Sequence, residues 1–584
     1  MVAALALSPA AAALAADPIL PVAREARAAD IIPAQLDAAQ RADYRKVFAS
    51  IDAGKWTEAR LQLATMAKGP LHAIALAEIL TARGSPKASA EDLARVLAEA
   101  PDLPQAEQIA RLAKMRGVAE LPDLPFTRAL SWNRGAPVRA RAKSSRSDQV
   151  AAELAVKMQP FIKDDLGAPA QVLLESTDGL SPEAQTEWQQ KVAWIYYLSG
   201  DDANARAMAA KACLGSGDWA IQADWVAGLA SWRQKDFGSA EDKFSAVASR
   251  SSDVELRAAA LFWAARADMA AGHPERITPR LKSAAQYEET FYGLLARQTL
   301  GIRSPDNGHE NQLAADWAAL SRRPNVRVAA ALVEIGETGL ADEVLKREAR
   351  IGDVGAFPAL LRLTGALDLP STQLWLAHNP PAGASTPAMA RYPAPNWTPD
   401  GGWRVDKALV FAHTLQESKF QTDVVSSAGA YGLMQIRPAA ASDIARQRGM
   451  RFDRAALTNP STNIEIGQSY LELLRDMAST GGLLPKVIAA YNAGPVPVEA
   501  WNAQVRDDGD PLLYIESIPF WETRGYVVTV LRNYWVYERE VGKAASSSRA
   551  ALAQGLWPRF PGLPGATAVR IASRPQPNVT ASAN

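Results

Sequence analysis

From about Ala16 to Leu376, apolar residues recur with the 3.6-residue period of helices buried along one stripe. Alanine, leucine, arginine, glutamate and glutamine fill the windows, and glycines, prolines and Asp-Asp pairs interrupt them. No stretch sustains the apolar-polar alternation of strands, so the pattern predicts an all-α chain of short antiparallel helices. Three segments repeat one design: "WIYYLSGDDANARAMAAKA" from Trp194, "SWRQKDFGSAEDKFSAVA" from Ser231 and "RADMAAGHPERITPRLKSAA" from Arg266. Each holds an apolar helix, a turn near Gly200, Gly238 or Gly272, and a second helix with small residues for close approach. Their spacing is near the roughly 34-residue period of tetratricopeptide-type arrays, predicting an α-superhelix with a concave face open to partners. Trp194, Trp219, Trp225, Trp232 and Trp263 fall at helical spacing, which assigns them to the core before sugar stacking.

Two stretches break the pattern. "RGAPVRARAKSSR", Arg134 to Arg146, is basic and Gly/Pro-punctuated, and reads as a solvated loop before an anion-binding patch. Asn379 to Gly402 carries six prolines without helical period and reads as a boundary. A compact segment follows to about Gly542, then a Pro/Ser/Ala-rich tail. The expected organisation is a signal-peptide remnant (1–15), a superhelical domain (16–300), a helical linker domain (301–390), a catalytic domain (391–545) and a disordered tail (546–584).

Composition narrows the classes. In 584 residues, 63 Lys and Arg balance 63 Asp and Glu, so no overall charge favours nucleic acid or an anionic membrane. One cysteine, Cys213, rules out an internal disulfide framework, and the five histidines lack metal-ligand spacing; no metal or other cofactor is expected. The N-terminus is apolar and Ala-rich, with an A-x-A pattern at Ala13-Leu14-Ala15 but no basic n-region. It reads as a truncated export signal, and no segment offers about 18 uninterrupted apolar residues for a stable membrane span.

Candidate chemistry gathers in "HTLQESKFQTDVVSSAGAYGLMQI", His413 to Ile436. Helical periodicity aligns Glu417 with Val410, His413 and Thr414, so its carboxyl ends a helix partly buried. Burial disfavours the anion and pushes a glutamate toward the neutral range that suits a general acid, and a helix C-terminus disfavours it further. Ser426, Ser427, Gly429 and Gly432 make a loop suited to a polar ligand. Farther on, "IAAYNAG" ends a helix with Tyr491 and Asn492, and "ESIPFWETRGYVVTVLRNYWVY" runs from a loop into an aromatic helix.

The ordered motifs "QES", "GLMQI", "AYNAG" and "ESIPFWETRGY" resemble the catalytic domain of family 1 soluble lytic transglycosylases. "TFYGLLARQTLG" and the preceding array resemble the superhelical and linker parts of the large members. The resemblance implies a lysozyme-like α-domain that cleaves the β-1,4 MurNAc-GlcNAc bond of peptidoglycan glycan strands in the periplasm. It further implies Glu417 as single acid/base, Ser426 orienting it or the substrate amide, and Met434 and Gln435 lining the groove. Tyr491 and Asn492 would bond near the reacting sugar, and Glu522 and Tyr526 would complete the wall. Two departures stand out: Leu415 where many relatives have arginine, and "GPVPVEAW" after "AYNAG". Two other readings stay open. A hydrolytic muramidase of the same fold needs a second carboxylate, from Asp423, Asp443, Glu499, Glu516 or Glu522. A glycan-docked scaffold would use the array for cell-wall protein partners.

Overall fold

The computed structural model describes residues 31–145, 148–302, 312–449, 451, 453–540 and 546–572; the expected signal segment 1–15 lies outside them. Twenty-seven α-helices carry the architecture, and Trp557–Pro558 with Ala568–Val569 is the one β-sheet among the described residues. The all-α reading holds.

The three repeats form helix pairs: Pro182–Ser199 with Asp202–Cys213, Gly217–Arg233 with Phe237–Arg250, and Val254–Ala271 with Pro274–Ala285. Local chemistry sets their ends. Gly200 and Gly272 stop the first helix of their pairs at φ 83° and 84°, a region open to glycine. Asp201 and Asp236 then cap the second helices of the first two pairs by accepting from the backbone N–H of Asn204 and Ser239. In the middle repeat Lys235, at φ 60°, makes the turn, and Gly238 lies one residue inside the next helix instead. The close approach of this pair rests on Gly228 of its first helix, where a Cβ would sit 2.6 Å from the Phe244 ring. Trp225 and Trp263 are fully buried, Trp194 and Trp232 pack partly buried on the same core, and Trp219 donates its indole N–H to the Lys143 carbonyl.

Buried side chains fall into two cores that do not follow chain order. One joins helices between Ala38 and Met115 to those between Leu313 and His378. The other joins the 149–300 helices to the 392–560 segment, so the last domain is seated on the repeats. At that seam Phe291 stacks on Trp535 at 4.9 Å, and the Tyr197 and Ser517 hydroxyls hydrogen-bond at 2.7 Å.

The described part of the basic stretch, 134–145, is no free loop. Arg139 reaches into the seam, donates to both oxygens of the fully buried Glu516 at 2.7 and 3.1 Å, and lies 4.9 Å over the Trp225 ring. Tyr292 adds a third donor to Glu516 at 2.8 Å, and Arg532 donates to the Pro137 carbonyl. The arginines that made the stretch look solvated include the one that crosses the interface.

Residues 546–572 also depart from the expected tail. Helix Ser547–Ala553 is followed by Trp557, which is 1% exposed and donates to the Gly509 carbonyl at 2.8 Å. Its aromatic anchors, Trp557 and Phe560, outweigh the surrounding Pro/Gly/Ser composition that suggested loose chain.

Candidate active site

Helix Lys407–Glu417 begins at Asp406, whose side chain caps the Ala408 N–H, and ends on the residue of interest. Six apolar or small residues from Ala408 to Ala412 and at Phe420 pack inward, which fixes the helix against Trp521–Glu540 and, more lightly, Pro460–Asp476. Beyond Ser418 the chain reverses through Lys419 and Phe420 at φ 53° and 63°, a conformation that side chains resist. Phe420 holds the reversal by burying its ring against Phe411 and Trp397, at 5.7 and 6.2 Å. Glu417 is thereby left half-buried at the mouth of the following loop.

Burial raises the Glu417 carboxyl from its ordinary value to about 7; the Tyr526 hydroxyl opposes this by donating to Oε1 at 2.5 Å, and the charge of Glu522 adds to the rise. Behind Tyr526, His413 Nδ1 lies 2.8 Å from the same hydroxyl. His413 is fully buried one turn before Glu417, with its ring 4.5 Å from that of Tyr491. Its imidazole is pushed down to about 3 by burial, so it is neutral at any working pH.

Replacing Tyr526 by Phe removes the hydrogen bond that stabilises the Glu417 anion among the described residues. The carboxyl should then titrate higher, moving the alkaline limb of a pH–rate profile upward while lowering the maximum rate; a profile on the purified variant checks both directions.

The loop "SSAGAYGLMQI" closes on itself. Ser426 accepts from the Ala430 N–H at 3.0 Å, and no hydrogen bond joins it to Glu417 among the described residues. Gln435, at φ 48°, donates to the carbonyls of Gly432 and Val424 at 2.9 and 3.3 Å. Met434 does not line an open groove with its side chain: it is fully buried against Gly467, where an added Cβ would lie 2.1 Å from its sulfur. Its backbone serves the site instead, the carbonyl accepting from the Tyr491 hydroxyl at 2.7 Å and the N–H donating to Asn463 at 2.9 Å. Asn492 accepts from Thr523 at 2.6 Å, tying the "AYNAG" helix to the "ETRGY" helix, and Glu522 is exposed beside it. Thr523 and His413 were missed from sequence. His413 had a signal, its position four residues before Glu417, but its tyrosine partner is 113 residues away.

Gly467→Ala should destabilise the protein by about 1–3 kcal/mol, the usual cost of overpacking a core, and displace Met434 from under Tyr491. Chemical denaturation of the variant measures it.

The sequence model of the Transglycosylase SLT domain family matches residues 399–513, which include Glu417 but stop short of Tyr526. The soluble lytic murein transglycosylase of Salmonella typhimurium is 34% identical over 160 residues, 27% of this chain and 24% of that protein's own length. The endo-type membrane-bound lytic murein transglycosylase A of Klebsiella pneumoniae is 34% identical over 158 residues, 25% of this chain and 76% of its own. The chain belongs to the lytic murein transglycosylases. Outside the matched domain the likeness to this family is one of fold. A solved inactive mutant of the lytic transglycosylase Slt from Pseudomonas aeruginosa superposes with a TM-score of 0.51 at 19% identity, covering 86% of this chain and 87% of that one. For a lytic transglycosylase the hydroxyl that Tyr526 aims at Glu417 lies on a helix that the SLT match does not reach. Among the described residues no group of His, Cys, Asp or Glu could hold a metal ion, and no helix is long and apolar enough to cross a membrane.

Proposed function

We propose that this protein is a periplasmic lytic transglycosylase that cleaves the β-1,4 bond between MurNAc and GlcNAc in peptidoglycan, leaving 1,6-anhydro-MurNAc ends. The observation that carries the reading is Glu417 itself, a half-buried carboxyl raised to about 7 and gripped on one oxygen by Tyr526. Such a group holds a proton to give and, once ionised, can take one back. In this scheme Glu417 protonates the leaving glycosidic oxygen, and the C1–O bond breaks. The substrate's own N-acetyl carbonyl stabilises the cationic C1. The Glu417 carboxylate then removes the C6 hydroxyl proton, and the C6 oxygen bonds to C1. Because attacker and target share one sugar, proximity replaces an activated water.

The carboxylates considered for a hydrolytic partner support the single-acid reading to different degrees. Glu516 is consumed at the seam by Arg139 and Tyr292, and Asp443 pairs with Arg446 on the surface. Asp423 and Glu499 are exposed, as is Glu522, which acts on Glu417 by charge. Around Glu417, Tyr491 and Asn492 would meet the reacting sugars, Gln435 and the Met434 backbone would shape the groove floor, and Ser426 would hold the loop. The superhelix would position glycan strands or cell-wall protein partners. No cofactor takes part in the scheme. Incubation with purified murein sacculi tests the reading: release of soluble muropeptides is expected, and intact sacculi would sink it in favour of a glycan-docked scaffold.

A further inference from the structure

We propose that His413 is a positioning residue that, by keeping its proton on Nδ1, decides which oxygen of Glu417 carries the transferable proton. The inference deepens the transglycosylase reading and rests on it. The observation is a chain of three groups: His413 Nδ1 is 2.8 Å from the Tyr526 hydroxyl, which is 2.5 Å from Glu417 Oε1. The hydroxyl has one hydrogen and must choose between its two neighbours.

If His413 carried its proton on Nε2, bare Nδ1 would accept the phenol hydrogen. Glu417 would then satisfy the phenol oxygen only by placing its own proton on Oε1, turned away from substrate. If the proton sits on Nδ1, the imidazole donates to the phenol oxygen and the phenol hydrogen is forced onto Oε1. The proton of the neutral carboxyl then belongs to Oε2, free to pass to the glycosidic oxygen. After C–O cleavage the bare Oε2 takes the C6 hydroxyl proton, and Oε1 keeps its bond to Tyr526 throughout.

A second observation selects the tautomer. His413 Nε2 is buried without a hydrogen-bond partner among the described residues. A buried N–H without a partner is rarer in proteins than an under-satisfied acceptor, so the orphan atom is the bare nitrogen and the proton is on Nδ1. Burial is what shifts the ring. Glu417 lies on its own helix and Tyr526 on Trp521–Glu540. Tyr491 faces it from Leu484–Ala493, with Tyr470 of Pro460–Asp476 behind at 5.4 Å, and Glu522 reaches the site through its effect on Glu417. Donation by the imidazole also polarises the phenol and strengthens its grip on the carboxylate.

The test uses the full chain labelled with nitrogen-15 in histidine, His413 being assigned by its loss in His413→Asn. At neutral pH the expected spectrum shows a protonated Nδ1 and a bare Nε2. A protonated Nε2 overturns the proposal, with or without substrate. Kinetically, His413→Leu should lose roughly tenfold in kcat, the scale of one hydrogen bond, with KM little changed. His413→Asn, whose amide N–H replaces the Nδ1 donor, should recover most of that loss. Unchanged kcat in His413→Leu, or equal losses in both variants alongside equal loss of thermal stability, would leave only a packing role and overturn it. If the wild type releases no muropeptides, the transglycosylase reading fails, while the nitrogen spectrum still decides the tautomer.

Discussion

Glu417→Gln protein is expected to fold normally and to release muropeptides about 10²- to 10⁴-fold more slowly than wild type, the range carried by positioned acid/base groups. The substitution is nearly isosteric, so Tyr526 can still donate to the side-chain oxygen and the groove keeps its shape. What disappears is the transferable proton. A stability comparison separates this from misfolding, because its sign is set by the raised carboxyl. In the folded protein Glu417 titrates near 7, above the ordinary value of 4.5, so the fold prefers the neutral form. Its contribution is fully present below the unfolded value and is lost as pH rises through about 7. Glu417→Gln should therefore match wild type in acid and exceed it in stability on the alkaline side. A series of denaturation curves across pH reads this directly, and a variant less stable at alkaline pH would show that Glu417 is not held against its charge.

Arg139→Ala should cost about 3–5 kcal/mol, the penalty for leaving one member of a buried ion pair uncompensated. Glu516 is fully buried and takes two of its donors from Arg139, so among the described residues Tyr292 would remain as its hydrogen-bond donor. The loss should reach the active site as well, since Glu516 and Ser517 end helix Pro511–Ser517, which only three residues separate from the helix of Thr523 and Tyr526. Arg141→Ala, on an exposed neighbour, should stay within about 0.5 kcal/mol of wild type. Combining Arg139→Met with Glu516→Gln should restore much of the stability, because the buried charge is then gone. If Arg139→Ala melted with wild type in a urea titration, the ion pair would not hold the catalytic domain to the repeats.

These two residues also mark how far the sequence could be read. Glu417 was legible because everything that defines it is local: the apolar stripe, its helix-terminal position and the Ser/Gly loop lie within one short stretch. The repeats were legible for the same reason, their Asp caps and glycine stops being written beside the helices they bound. Arg139 was not, since its basic neighbours read as a solvated loop and the acid that buries it lies 377 residues away. Met434 shows the same limit. Its motif position suggested a groove wall, yet the space left by Gly467 on another helix draws the side chain into the core. Residues 546–572 were judged by composition, and their order depends on Trp557 reaching the carbonyl of Gly509. Which helices share a core was likewise invisible, because 38–115 pack with 313–378 across the whole intervening array.

The most direct test of the central claim is the chemistry of the new glycan ends. Mass spectrometry of muropeptides released from purified sacculi should show MurNAc termini lighter by one water, the 1,6-anhydro product of closure by the C6 oxygen. Reducing MurNAc ends in their place would mean that water attacks C1, and would contradict a site built on Glu417 alone.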